Sequence, residues 1–244
     1  SNGFNFWASG LFAFGGSLMW ELFLENEYPS ANDIIATPIG GMAVGEVFYR
    51  ASDLILDDRA KGSERFRREA AAFIIAPTRG LTRLIHGDMW RKRPTSGRQF
   101  GVPDLSIGVS SGVRVLELED PIIDKGVGFI THLNVEYSDK FNDGGEKPFD
   151  YFTLESSIGI QASQPILGQL NIMGRLWVTD IAETRKNILS MGFYQHLDYY
   201  DSDTISDVSS RVPYRFSTPA SLGIVFIYAH RRWEKWHLDA SLHI

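Results

Sequence analysis

Seven runs of period two, all downstream of residue 104, constrain this chain more than any other feature of it. In 105–115, Leu105, Ile107, Val109, Val113 and Val115 fall on one side, and Ser106, Gly108, Ser110, Gly112 and Arg114 on the other. The same dyad recurs at 127–137, 152–162, 170–178, 189–199, 220–230 (more weakly) and 235–244. Successive side chains of a strand point to opposite faces, so each run reads as a half-buried strand. Strict alternation in 170–178 sets Leu170, Ile172, Leu176 and Val178 against Asn171, Arg175 and Trp177. Runs of about ten residues exceed the usual globular strand and match the length and pattern of strands that cross an outer membrane. Tyr137, Phe152, Tyr199, Tyr228 and Trp236 lie near run ends, where an interfacial girdle places aromatics. A soluble sandwich alternates too. Charged and small residues on the polar side of nearly every run fit a wet lumen better.

Upstream the period changes, with a boundary near 92–104. This gives a helical segment over 1–92 and strands over 105–244. About three helices are expected: 5–26, Ser30 to about Asp57, and 63–75, with a short helical turn over 80–87. The run Phe4–Leu24 is long enough to span a bilayer. Ser30 is placed to cap the second helix, with Asp33 three residues on. Pro38 predicts a kink, and Pro77 and Gly80 interrupt the third helix. The expected fold is mainly β: an antiparallel transmembrane β-barrel preceded by about three N-terminal α-helices. Seven strands are visible, and about eight to twelve are expected when the barrel is complete, since bacterial barrels have even strand numbers. The last run stops at Ile244 as a strand, so further strands or a partner chain are expected to close the sheet. The helices are expected to plug the barrel or pack on its periplasmic side.

A net charge of -6 argues against nucleic acid as a partner. The lack of cysteine excludes disulfides, thiolate catalysis and cysteine metal sites. Aromatics at 13% with a mean hydropathy of -0.13 suit a barrel that is polar inside and apolar outside. The basic run Arg91-Lys92-Arg93 reads as a solvated linker.

Two groups of residues are candidates for chemistry. In the helices, Trp20, Glu21, Asn32, Asp33, Glu46 and Arg50 form a structural polar cluster in apolar surroundings, where ionisable groups are costly unless paired. Asp33 is expected to cap, Glu46 to pair with Arg50 four residues on, and Glu21 to meet Arg79 or Arg83. In the strands, His132, Glu136, Glu155, Arg175, His237 and Asp239 face the lumen, as do His196 and His243. His196 and Asp198 share a side; with Ser190 or Ser241 they would approximate a hydrolase constellation. The sequence has no phosphate-binding glycine motif, zinc-protease histidine pair or EF-hand loop, and no cofactor or metal is expected. Asp201–Asp207 reads as a solvated acidic loop.

The blocks Gly16-Ser-Leu-Met-Trp-Glu21, Pro29-Ser-Ala-Asn-Asp33, Gly40-Gly-Met-Ala-Val-Gly-Glu46 with Tyr49-Arg50, Pro77-Thr-Arg-Gly-Leu-Thr-Arg83 and Gln195-His-Leu-Asp-Tyr-Tyr-Asp201 carry a resemblance. Together they resemble an uncharacterised family of bacterial outer-membrane β-barrel proteins with a helical front, classed as a domain of unknown function. The resemblance implies a location in the bacterial outer membrane and supplies no reaction. The expected role is a scaffold, a narrow pore or a subunit of an envelope complex. Its expected partners are membrane lipids or lipopolysaccharide and other outer-membrane subunits. The alternative is a lipid-modifying acyl hydrolase using His196 and Asp198.

Overall fold

A computed structural model describes residues 4–26, 28–116, 126–139, 147–161, 164–184, 186–202, 214–232 and 236–243. Side chains are described for the same residues except 116, 126, 202, 214, 231, 232 and 236–243. The chain forms two compact units, Ser1–Pro103 and Asp104–Ile244.

The first unit is helical: α1 (Phe6–Phe23), α2 (Ala31–Ile55), α3 (Gly62–Ile75) and α4 (Pro77–Ile85). Asn5 caps α1 by accepting from the Ala8 N–H at 2.8 Å. The bare Cα of Gly10 lets α1 approach α2 at Met42, where a Cβ would collide with the Met42 side chain. α2 runs through Pro38 without a break.

The third helix lies close to the expected bounds, and the short turn expected over 80–87 is a full helix that begins at Pro77, so the unit has four helices rather than about three. Pro77 is disfavoured inside a helix but suited to its first turn, where the missing N–H has no partner to lose. The chain turns at Ala76 (φ -130°, ψ 80°) and restarts with Pro77 at the head of α4. Gly80 does not interrupt anything. It is buried inside α4, where a Cβ would strike the Phe73 ring of α3. Among the described residues no helix is long and apolar enough to cross a membrane. The Phe4–Leu24 run yields an 18-residue α1, roughly 27 Å at 1.5 Å per residue.

The second unit is one antiparallel sheet in sequence order: β1 (Leu105–Leu116), β2 (Gly126–Tyr137), β3 (Phe152–Ile160), β4 (Leu167–Glu183), β5 (Asn187–Ser202), β6 (Tyr214–Arg232) and β7 (Trp236–His243). The sheet is open, with β1 and β7 as its edges. Residues directly opposite in an antiparallel pair share a face, so the register defines rows across the sheet. One row runs Ile107, Val135, Leu154, Ile172, Leu197. Another, on the same face, runs Val113, Phe129, Ile160.

Strict alternation fails at bulges, where an extra residue exchanges the faces. Between Arg175 and Trp177 the register of β4 shifts against β5: Arg175 lies opposite Tyr194, and Trp177 opposite Phe193. Phe193 in turn faces Ile224. Trp177 therefore sits with the apolar residues and not beside Arg175, which corrects the sequence assignment. A second shift in β4 falls between Asp180 and Ala182. A third lies between β5 and β6, where His196 pairs with Ser221 but Asp198 with Thr218. Pro219 occupies the slack in β6, as a residue without an N–H must.

The middle of the apolar face is buried: Tyr137 and Phe152 stack with centroids 4.7 Å apart, and the buried Phe149 ring lies where a Gly174 Cβ would be. On the other face, Tyr151, Tyr194, Val225 and Ile227 form a small buried cluster with Met173 against it.

Candidate functional site

The helical unit buries a network of charges. Arg79 of α4 donates to the Asp53 carboxylate of α2 at 2.5 Å, to Ser52 Oγ at 2.9 Å and to the Tyr49 carbonyl at 2.8 Å. The other Asp53 oxygen accepts the backbone N–H groups of Gln99 and Phe100 at 2.9 and 3.2 Å. One turn along α4, Arg83 bridges Asp58 at 2.6 Å and Glu69 at 2.8 Å. Burial pulls the Arg83 guanidinium down, but its hydrogen bonds to Glu69 and Asp58 outweigh this and hold it above its ordinary range. Arg65 of α3 fills four backbone acceptors, the carbonyls of Asp58, Asp88, Met89 and Arg91. The segment after α4 is tied down through these contacts. The Asp58 N–H donates to Ser96 O and the Arg93 N–H to Asp58 O. Arg98 donates to the Leu54 and Leu56 carbonyls, and Gly97 (φ +72°) passes so close to Asp58 that a Cβ would overlap its carboxylate. Arg93 also pairs with Asp88 at 2.7 Å. The Arg91-Lys92-Arg93 run is exposed, as expected, while the segment that carries it is fastened to the helices as a strap through Arg93 and residues 96–100.

Of the residues expected to cluster in the helices, Glu46 and Arg50 do pair, at 2.8 Å. Glu21 does not meet Arg79 or Arg83. It accepts the Ser30 N–H at 3.0 Å, closing the start of α2. Asp33 is not the cap either: Ser30 holds that position without a side-chain capping bond. Asp33 instead accepts from Ser17 through its carbonyl at 2.6 Å and from Thr37 through its carboxylate at 3.4 Å. Trp20 and Asn32 are exposed. Arg79 and Arg83 were expected to meet a carboxylate, but their partners Asp53, Asp58 and Glu69, and Arg65 beside them, were missed in the sequence. A signal was present: Arg65/Glu69 and Arg79/Arg83 are each four apart, on one helix face.

On the sheet, a polar row crosses six strands: Gly108, Asn134, Glu155, Asn171, Asp198, Thr218. Asn134 donates to Glu155 at 3.3 Å, Asn171 to Asp198 at 2.6 Å, and Thr218 to the second Asp198 oxygen at 3.1 Å. Gln169 donates to Asn171 at 2.5 Å. An open groove of about 390 Å³ lies here, lined by Ser110, His132, Asn134, Glu155 and Gln169 among others. Nearby, buried Arg175 donates to Asp150 at 2.9 Å, and the Tyr151 hydroxyl donates to Glu136 at 3.1 Å. His132, Glu136, Glu155 and Arg175 thus share the polar face, with Arg175 and Glu136 held by the Asp150–Tyr151 segment. The side chains of His237, Asp239, Ser241 and His243 lie outside the described residues, as does most of the Asp201–Asp207 loop.

Ser190 lies six residues from His196 on the same strand, about 20 Å away at 3.3 Å per residue, and its hydroxyl donates to Asp180 at 2.6 Å. Ser241 pairs with Ile227, which lies opposite Ser190 and so equally far along the strand. Ser221 is the serine opposite His196. Among the described residues no group of three His, Asp or Glu is placed to hold a metal ion.

Residues 1–78 match the family model of a domain of unknown function (DUF3943). No curated protein and no solved structure matches the chain. The DUF3943 match takes in Glu21, Glu46, Arg50, Asp53, Asp58, Arg65 and Glu69, and stops one residue before Arg79. The carboxylates of the network lie within the DUF3943 segment, while Arg79, Arg83 and the strap that answer them lie beyond it. The folded helical unit is therefore larger than the DUF3943 match, reaching Pro103.

Proposed function

We propose that the sheet is the wall of a bacterial outer-membrane β-barrel, with its apolar face toward lipid and the Asn134–Thr218 row toward a water-filled lumen. The observation that carries this reading is the exposed part of the apolar face. Val109, Val113, Val115, Val127 and Ile160 are 65–76% exposed on adjoining strands, and a soluble antiparallel sheet buries such a face. Strands β4, β5 and β6, at 17, 16 and 19 residues, exceed the roughly 9–11 that a tilted strand needs to cross a bilayer. In a bilayer the edges at β1 and β7 would have to be paired, because open edges are not tolerated in hydrocarbon. The role that fits is a scaffold, a narrow pore or a subunit of an envelope complex, in contact with lipid or lipopolysaccharide.

This reading is preferred to acyl hydrolysis because both Asp198 oxygens are engaged by Asn171 and Thr218, and Ser190 is engaged by Asp180. Expression with a secretion signal in a Gram-negative host, followed by membrane fractionation and gel migration with and without boiling, tests the proposal. Recovery with the outer membrane and heat-modifiable migration are expected; recovery in the soluble fraction would overturn it. Lipid hydrolysis in detergent by the protein and by His196→Ala tests the rival: turnover lost in the variant would favour the enzyme.

A further inference from the structure

The helical unit is organised inside out. Its buried side chains include Glu21, Arg50, Asp53, Asp58, Arg65, Glu69 and Arg79, while its buried apolar residues are mostly small: Ala36, Ala43, Ala60, Ala72, Ala76, with Val47 and Leu56. Many of its large hydrocarbons are outside, and the exposed charges of α3, Glu64 and Arg67, lie in its first two turns. Leu11, Phe12 and Phe23 of α1 are 65–77% exposed, Ile74 of α3 79% and Ile85 of α4 71%. α4 shows the inversion within one helix: Arg79 and Arg83 point to buried carboxylates, whereas Leu81, Leu84 and Ile85 point outward. α1 and α2 carry no exposed charge. Glu21, Arg50 and Asp53 are buried, and Asp33 and Glu46 are half-buried.

The shape of the exposed surface identifies what covers it. Leu18, Met19 and Trp20 are consecutive and all exposed, and at about 100° per residue they sweep roughly 200° of the helix circumference. Leu22, Phe23 and Leu24 repeat the pattern. A protein partner docked on one side covers one stripe of a helix; a surround of hydrocarbon covers the whole arc. Burying the charges against one another is also the arrangement that an apolar solvent demands. We infer that α1 and the adjoining outer faces of the helical unit lie in the acyl region of a lipid bilayer, entering it without crossing it. The inference goes beyond the barrel reading and does not depend on it.

The chain has no cysteine, so single nitroxide labels can be placed without removing anything. Leu11→Cys, Phe23→Cys and Ile85→Cys are to be labelled in the full chain reconstituted in phosphatidylcholine–phosphatidylglycerol vesicles, with Glu25→Cys as the polar control and Val113→Cys on β1. Spin relaxation by oxygen, which partitions into hydrocarbon, is compared with relaxation by a water-soluble nickel chelate. The expected result is a several-fold preference for oxygen at positions 11, 23 and 85, and for the chelate at 25. Preference for the chelate at positions 11 and 23 would overturn the inference in favour of water. Protection from both reagents would overturn it in favour of a protein cover. The label at position 113 judges the barrel reading separately, so the two can fail independently. Because these side chains are exposed, the substitutions are expected to leave the circular dichroism spectrum unchanged.

Discussion

Arg79 and Asp53 meet at 2.5 Å with side chains only 5% and 1% exposed, and the same carboxylate holds the strap at Gln99 and Phe100. Removing one member of a buried pair leaves a charge without its partner, at a cost of about 3–5 kcal/mol. Asp53→Ala is therefore expected to loosen both α4 and the strap. Limited trypsin digestion should show early cleavage after Arg98, and an unchanged digestion pattern would contradict this account of the strap.

Two glycines should respond in opposite directions. Gly97 has φ +72° and no room beside Asp58, so Gly97→Ala should destabilise by about 1–3 kcal/mol. Gly41 lies within α2, where an added Cβ would meet nothing within 4 Å, so Gly41→Ala should stabilise by about 0.5–1 kcal/mol. Chemical denaturation of the two variants in parallel checks the sign of each.

Asp57 accepts from the Arg59 side chain and its backbone N–H, which holds its carboxyl down to about 2. A depressed carboxylate contributes its stability above the unfolded value of 3.8 and loses it as pH falls through about 2. Exposed pairs are screened, so the contribution stays below about 1 kcal/mol. Asp57→Asn should be slightly less stable than the parent at pH 7, and the two should converge near pH 2 in urea titrations.

In the sheet, buried Arg175 has Asp150 at 2.9 Å. Asp150→Ala should cost about 3–5 kcal/mol, and Arg175→Met on top of it should restore much of that by removing a buried cation that has lost its carboxylate. Thermal melts of the single and double variants in detergent would reveal the coupling; additive losses would count against the pair.

The strands were legible because the dyad in β1 and β2, over 105–115 and 127–137, is broken only at Ser111, Ile130 and Thr131, and because Leu105–Tyr137 through Leu116–Gly126 pair without a shift. In β4 the alternation rule misplaced Trp177, since a bulge leaves no mark in a two-letter apolar/polar pattern. The Glu46–Arg50 pair was legible because it is local. Arg83 with Asp58 and Glu69 was not, because those partners lie 25 and 14 residues away and the approach depends on where Pro77 restarts the chain. The inverted helices misled for a related reason. Apolar periodicity marks a face without saying whether that face looks into the protein or out of it.

The bulges also set what kinds of change the sheet tolerates. On either side of the Arg175–Trp177 irregularity, the polar and apolar sides of the sheet fall on opposite parities of residue number. A substitution there alters one side chain. Deleting Leu176, the extra residue, would leave Arg175 and Trp177 in regular succession opposite Tyr194 and Phe193, with every side chain on its present side, whereas deleting Met173 from the regular stretch would exchange the two sides along one flank of it. The strand thus behaves like a reading frame, permissive to point changes and brittle to the loss of a unit anywhere but at the irregularity itself.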